Sequence, residues 1–525
     1  MGGHEALQNP MDPLAELPPS VSTARRARMY AFVALLGLIA LVPLWIPTFP
    51  AMCDAPQHAS QTALFSALAD PASPYALQFE RHSLIPNLLG YALLLLLSPF
   101  IGALAATKLI ASAALLAILL ASARLLEEFH SDPRLAILVI PAFYGYPFQW
   151  GFLGFLAAAP LGILFFLFVA LPAFRRPTVA RVVLLVVAFF GLFFCHALIA
   201  AFTVAIAFAY HLALRPSRRD LRLWLPLVCA ILVAGIWWIA SVASNPHTLA
   251  HAPLDWDLEL DRLPNLFQDI TGLPGALSAS FAVLALLVPV CVLLGVRRQR
   301  RYYVLVSFCF ALAMLAPRGI LGVQELYQRF AIFFLPCFAL ILVPPAQAPG
   351  RRGPLALAFL VIFSLVWTAG YAWRMQVFER ESRGFATLLL HMEPNQRALS
   401  LNYETRSPVF EARVFLHFPA WYAALRGGVV DPSFACGNVD LVLYRPQALP
   451  RVRVSSFEYH PEQFEWRLHD GWRYRYFVVH SPTATTLFDS LPEVQLRAHD
   501  GHWWLYERTS PPSMPAGAEL ASSKP

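Results

Sequence analysis

The chain has 525 residues, 58% of them hydrophobic and 14% charged, with a mean hydropathy of +0.56, which leaves too little polar surface for a soluble globule of this size. The formal charge of +7 does not mark a nucleic-acid partner, because the arginines fall in short clusters between apolar segments and not along one face or an aromatic-interleaved stripe. No G-x-G-x-x-G unit for a nucleotide-sugar is present, and the seven cysteines show no CxxC or other metal spacing.

Taken in chain order, residues 1–28 are a cytoplasmic, mostly disordered N-terminus. Met29 to Pro50 is a first membrane span, long enough for a hydrocarbon core of about 30 Å. A long polar stretch precedes it and no small-residue cleavage site follows at once, so it reads as a retained anchor. Residues 51–85 form an outer loop. Helices at 85–101 and 103–124, then one crossing at 135–174 broken near Gly145, Pro147, Gly151 and Pro160, bring the chain back inside. Seven further spans follow at roughly 182–197, 198–214, 224–243, 276–296, 302–316, 330–346 and 355–373. This gives about eleven spans in residues 29–373. Orientation comes from five arginine clusters: Arg25 to Arg28, Arg175-Arg176, Arg215 with Arg218-Arg219, Arg297 to Arg301, and Arg351-Arg352. Placing all five on the cytoplasmic side of a plasma membrane is self-consistent.

After Trp373 the charge density rises and apolar runs shorten to strand length. Residues 398–401, 476–480 and 503–506 read as strands and 417–426 as a short helix. Residues 374–508 are therefore a small extracytoplasmic α/β domain, followed by a disordered tail at 509–525. The fold class is mainly α, a polytopic helical bundle carrying that domain. Cys53 and Cys436 both face an oxidising compartment in this map, which leaves a bridge between them open.

The chemistry gathers at the outer side. Asp54 and His58 stand four residues apart just past the first span, with Glu80, Arg81 and His82 at the far end of the same loop. A surface carboxylate there can act as general base for a hydroxyl or bind a divalent cation, with an imidazole assisting. The bland alternative is that Asp54 caps a helix whose first turn holds Pro56. Tyr327 and Arg329 open an outer span and suit a phosphate leaving group or, more plainly, an interfacial anchor. His196 sits at the turn of an apolar hairpin. Tyr144, Tyr146, Gln149 and Trp150 cluster at the helix break as sugar-pocket or aromatic-belt residues. In the C-terminal domain, Tyr403, Trp421, Trp503 and Trp504 could stack on sugar rings, although core packing accounts for them better.

A first span, a long outer loop opening Asp54-Ala55-Pro56-Gln57-His58, some ten further spans and a C-terminal extracytoplasmic domain resemble the GT-C superfamily of integral membrane glycosyltransferases. The resemblance covers residues 29–373 in architecture, and only the Asp54 loop and, more loosely, Arg329 in motif. It implies transfer of a sugar from a polyprenyl phosphate donor, held among membrane lipids, to a glycan, lipid or protein acceptor. It further implies inversion, with Asp54 as base and with Arg329, helped by Tyr327 or His196, on the departing phosphate. Many members pair two acidic residues in this loop, whereas Ala55 follows Asp54 here, which leaves a divalent cation (Mg or Mn) open. A transporter or flippase, or an assembly protein, for lipid-linked envelope saccharides would share the spans.

Overall fold

The computed structural model describes residues 22–217, 221–243, 254–256, 258–320, 324–437, 440–452 and 457–509. Arg218 and Arg219, the N-terminal segment 1–21 and the tail from 510 lie outside the described residues. The architecture is a mainly helical bundle carrying a small mixed sheet at the C-terminal side.

Ion pairs sort the helix ends. Arg26 pairs with Glu127 at 2.8 Å, Arg124 and Arg175 with Glu128 at 2.8 and 3.0 Å, and Arg297 donates to the carbonyls of Phe129 and His130. These groups define one end of the bundle. At the other end the Lys108 ammonium donates to the Pro47 carbonyl, and the Trp45 indole donates to Ser112 at 3.1 Å. Ala103–Glu128, 26 residues or about 39 Å of helix, thus runs from the Asp54 end to the Arg26 end.

This corrects two of the expected spans. Leu88–Ile101 begins beside the turn at residues 196–197, where Asn87 accepts from the Ala197 N–H, and ends where Ala103–Glu128 begins. It returns the chain to the end it started from. Conversely, residues 135–174 make two passages. A tight 3-10 segment, Pro133–Ala142, climbs toward Gln149, and Leu153–Arg175 descends to the Arg175–Glu128 pair. One passage fewer and one more leave the parity unchanged, so everything downstream keeps its expected direction. Among the described residues, six helices are long and apolar enough to cross a membrane, and six further apolar helices are shorter, at 10–17 residues.

Arg352–Leu390 does not stop at Trp373 but continues as one helix of 39 residues. Its last turns carry the sheet. This sheet has the order β3-β2-β5-β7-β6, with β2 (Arg397–Asn402) parallel to β3 (Val429–Asp431) and β5 (Tyr476–His480). Strands β7 (Trp503–Arg508) and β6 (Val494–Asp500) add antiparallel. Phe385 of the long helix, Phe418 and Phe49 meet edge to face and Trp503 lies tilted against Phe385 and Phe418, with centroids 5.1–5.7 Å apart. Trp421 and Trp503 are fully buried core residues.

The first loop belongs to this domain as much as to the bundle. β1 (Phe79–Arg81) pairs antiparallel with β4 (Val442–Tyr444). Gln57 bonds Pro432 and Phe434, and Gln61 bonds the Val442 N–H at 2.7 Å. Arg397 and Asp431 form a buried ion pair at 2.7 Å, completed by Tyr444 and by Gln78 of the loop. Cys53 and Cys436 are not joined by a disulfide.

Gly384 is where the helix backbone meets the sheet, and a Cβ there would overlap the Asp500 carbonyl. Gly384→Ala should destabilise the protein by about 1–3 kcal/mol through this overpacking. The expected result is a lower melting temperature in detergent, with Gly370→Ala, whose Cβ would meet open space, as the control.

Candidate active site

Asp54 precedes the helix Ala55–Ala67, with Pro56 in its first turn, yet its carboxylate makes no capping bond. Instead Oδ1 lies 2.9 Å from Nδ1 of His417, and His417 Nε2 lies 3.0 Å from a Glu458 carboxylate oxygen. All three residues are buried. Each ring nitrogen faces a carboxylate oxygen, which accepts only, so both must donate and His417 is an imidazolium. Burial alone would lower its pKa. The Cys53 sulfur and the hydrogen bonds to Asp54 and Glu458 override burial and hold it well above the usual histidine range. Burial pushes the Cys53 thiol up to about 12, so that sulfur is uncharged at neutral pH and the carboxylates carry the effect.

The helix break supplies the bed for Asp54. Its N–H donates to Trp150 O at 2.9 Å and that of Cys53 to Gln149 O at 2.8 Å. Gly151 has φ 77°, and a Cβ there would come within 2.9 Å of the Asp54 nitrogen. The fully buried Gln149 side chain donates to Tyr144 O and Gly272 O and accepts from the Glu411 and Ala412 N–H groups. It pins the bundle to the C-terminal domain directly behind Asp54. Tyr144 is structural too, donating to Ala40 O at 2.7 Å.

His58 follows one turn after Asp54. Its Nδ1 donates to Tyr91 OH at 3.0 Å, and Tyr91 donates to Asp440 at 3.1 Å. Burial pushes His58 down to about 4 and Asp440 up to about 7. Arg329 stacks at 3.6 Å over the Phe152 ring and donates to the carbonyls of Glu325 and Gln324. It lies within electrostatic reach of Asp54, His58 and His196. His196 sits between two helices with its ring edge-on to Phe155 and no hydrogen-bond partner for Nδ1 among the described residues.

Asp54, His58, His196 and Arg329 are therefore neighbours, backed by Gln149 and Trp150, whereas Tyr327, Glu80, Arg81 and His82 stand apart. Tyr327 covers the Arg262 guanidinium at 4.3 Å and lines a separate polar cavity of about 390 Å³ with Tyr146, Trp150 and Asp269. Glu80 points out from β1 toward Arg445 at 3.9 Å, and Arg81 stacks on Phe65. The His82 N–H completes the β1–β4 end on Leu441 O. None of the three joins the hydrogen bonds around Asp54. Sequence reasoning missed His417 and Glu458 altogether. They lie 363 and 404 residues beyond Asp54 in segments without any motif, so no local signal could have found them.

A magnesium or manganese ion at Asp54 is a poor fit to these residues. The converging atoms are a thiol, an imidazole and one carboxylate, where such ions take oxygen, and both His417 nitrogens are committed to carboxylates.

No protein-family model matches the chain, and no curated protein matches it in sequence. Among solved structures, ArnT from Cupriavidus metallidurans in the apo state aligns over 93% of this chain and 98% of its own, with a TM-score of 0.50 at 13% identity. At that identity the likeness is one of fold, and the chain shares the fold of that ArnT structure.

The raised His417 pKa fixes a sign. The native state holds a proton that the unfolded state releases above about pH 6.5, so this stabilisation is complete below that value and is lost as pH rises toward the native pKa. Melting temperature should fall from about pH 6.5 to pH 9 in the wild type. His417→Gln should flatten that slope while lowering stability throughout.

Proposed function

We propose that the protein is a membrane glycosyltransferase that moves a sugar from a polyprenyl phosphate donor to an acceptor hydroxyl on a glycan, lipid or protein, with inversion. The observation that carries this reading is the buried Asp54 carboxylate, oriented through Oδ1 by the His417 imidazolium at 2.9 Å. Oδ2 serves as the general base. With Glu458 included, the trio carries one net negative charge before proton uptake and none after, so the proton arrives without creating a new buried charge. His417 and Glu458 are positioning residues. Arg329 stabilises the departing lipid phosphate, its planar guanidinium held flat by Phe152 and neutral His196 close by.

Donor delivery has a matching surface. An apolar groove of about 600 Å³ lies between Leu88–Ile101, Ala103–Glu128 and the helix that starts beside Phe152, with Leu93, Leu97, Leu109, Ala157 and Leu164 along it. It suits a polyprenyl chain whose phosphate stops at Arg329. The end bearing the arginine clusters is the cytoplasmic one by the positive-inside rule, which puts Asp54 and the sheet outside.

The reading is tested by supplying a panel of polyprenyl phosphosugars to purified protein in lipid. Asp54→Asn should slow transfer by roughly a hundredfold or more, about 3 kcal/mol of transition-state stabilisation. Arg329→Ala should weaken donor turnover, and Glu458→Gln should shift the pH profile of kcat/KM more than it shifts KM. Unchanged transfer in Asp54→Asn, in protein shown by size exclusion to be folded, would remove the base assignment. Donor that binds and crosses the bilayer without transfer would favour lipid-saccharide transport.

A further inference from the structure

The sheet carries a second cluster of ligating side chains, away from the Asp54 network. Parallel strands β2 and β5 end in register, Asn402 opposite His480, and His480 lies opposite Trp503 of β7. The residues just past those ends, Glu404 and His502, fold back over His480. One ligand atom from each of Glu404, His480 and His502 lies within 4.8 Å of the others. This is the crevice outside the carboxyl ends of parallel strands, where open α/β sheets place ligands.

Two features distinguish the cluster from a chance surface pair. The buried His480 ring is clamped between Trp503 at 4.1 Å and Phe415 at 4.7 Å, and its Nδ1 lies 2.6 Å from the Glu404 carbonyl. A carbonyl only accepts, so Nδ1 carries the proton and the lone pair is on Nε2. This is the tautomer control that metal-binding histidines receive from a backbone carbonyl. In addition, the Glu381 Oε2 atom, on the long helix beside the cluster, is buried with no hydrogen-bond partner among the described residues, although the Glu381 carboxyl also meets the Ser407 side chain, and Glu381 is in electrostatic contact with both Glu404 and His502.

The geometry points to a metal site formed by Glu404, His480 and His502 that takes a divalent ion of the zinc type, with Glu381 as an outer carboxylate. Two imidazoles and a carboxylate are a zinc donor set and unlike the oxygen cage that magnesium or calcium requires. Glu404 accepts from His502 Nδ1 at 2.7 Å. The ion would replace that proton. It would lock three strand ends to the helix that links the sheet to the bundle.

The test uses the full-length protein in detergent, tag removed and stripped with chelator, titrated with zinc alone and assayed by calorimetry and metal analysis. Wild type should take up one zinc per chain and gain melting temperature. The exposed variants His502→Ala and Glu404→Gln should fold normally without metal yet bind zinc at least about tenfold more weakly and lose the thermal gain. Asp54→Asn should bind as wild type does, separating this site from the Cys53–His417 cluster. The proposal falls if wild type takes up no saturable zinc, or if either sheet variant binds it unchanged.

Discussion

A carboxylate buried where membrane and water meet needs a cation, and the nearest side chain that supplies one to Asp54 belongs to a different domain. The Asp54–His417–Glu458 trio closes a loop of more than 360 residues, so it exists only if the first loop and the C-terminal sheet are docked against one another. Removing the imidazole would leave two buried carboxylates uncompensated, the expensive half of any buried ion pair. The rest of the outer structure serves that closure. Gln149 fixes the bundle to the strand-linking segment at Glu411 and Ala412, while Gln57, Gln61 and the β1–β4 ladder fix the loop. The Arg397–Asp431 pair then braces loop and sheet together.

Around this centre the polarity is layered. Below Phe152 the helix faces an apolar groove. Arg329 lies flat on the Phe152 ring, within electrostatic reach of His58, His196 and Asp54. Farther out is the polar cavity bounded by Trp150, Asp269 and Tyr327. Glu458, which bonds His417, is followed directly by Tyr459, which lines the cavity, so the Asp54 trio and the polar chamber share a wall.

The helical segments were legible because apolar length and arginine clustering are local properties. The errors arose where the same composition permits two paths. Leu88–Ile101 is apolar, but it lies against the bundle and returns to its own end, because the next helix carries Lys108 to the Pro47 carbonyl and Ser112 to the Trp45 indole. The break at Gly145–Gly151 reads as a kink, whereas the Cys53 and Asp54 N–H groups occupy the Gln149 and Trp150 carbonyls and make it a turn between two passages. Asp54 looks like a helix cap by position, and its side chain turns away because a buried imidazolium is the stronger partner.

By itself the sequence determined the membrane class, the sorting of arginines to one end and the prominence of Asp54, His58 and Arg329, since composition, segment length and short spacings survive without a fold. Only the tertiary structure decided what Asp54 touches, that Tyr327 and Glu80 to His82 stand apart from it, and that Glu404, His480 and His502 converge. Those facts depend on register and docking between segments hundreds of residues apart. Coulomb and hydrogen-bond energies act over a few ångströms of space, whatever the distance along the chain.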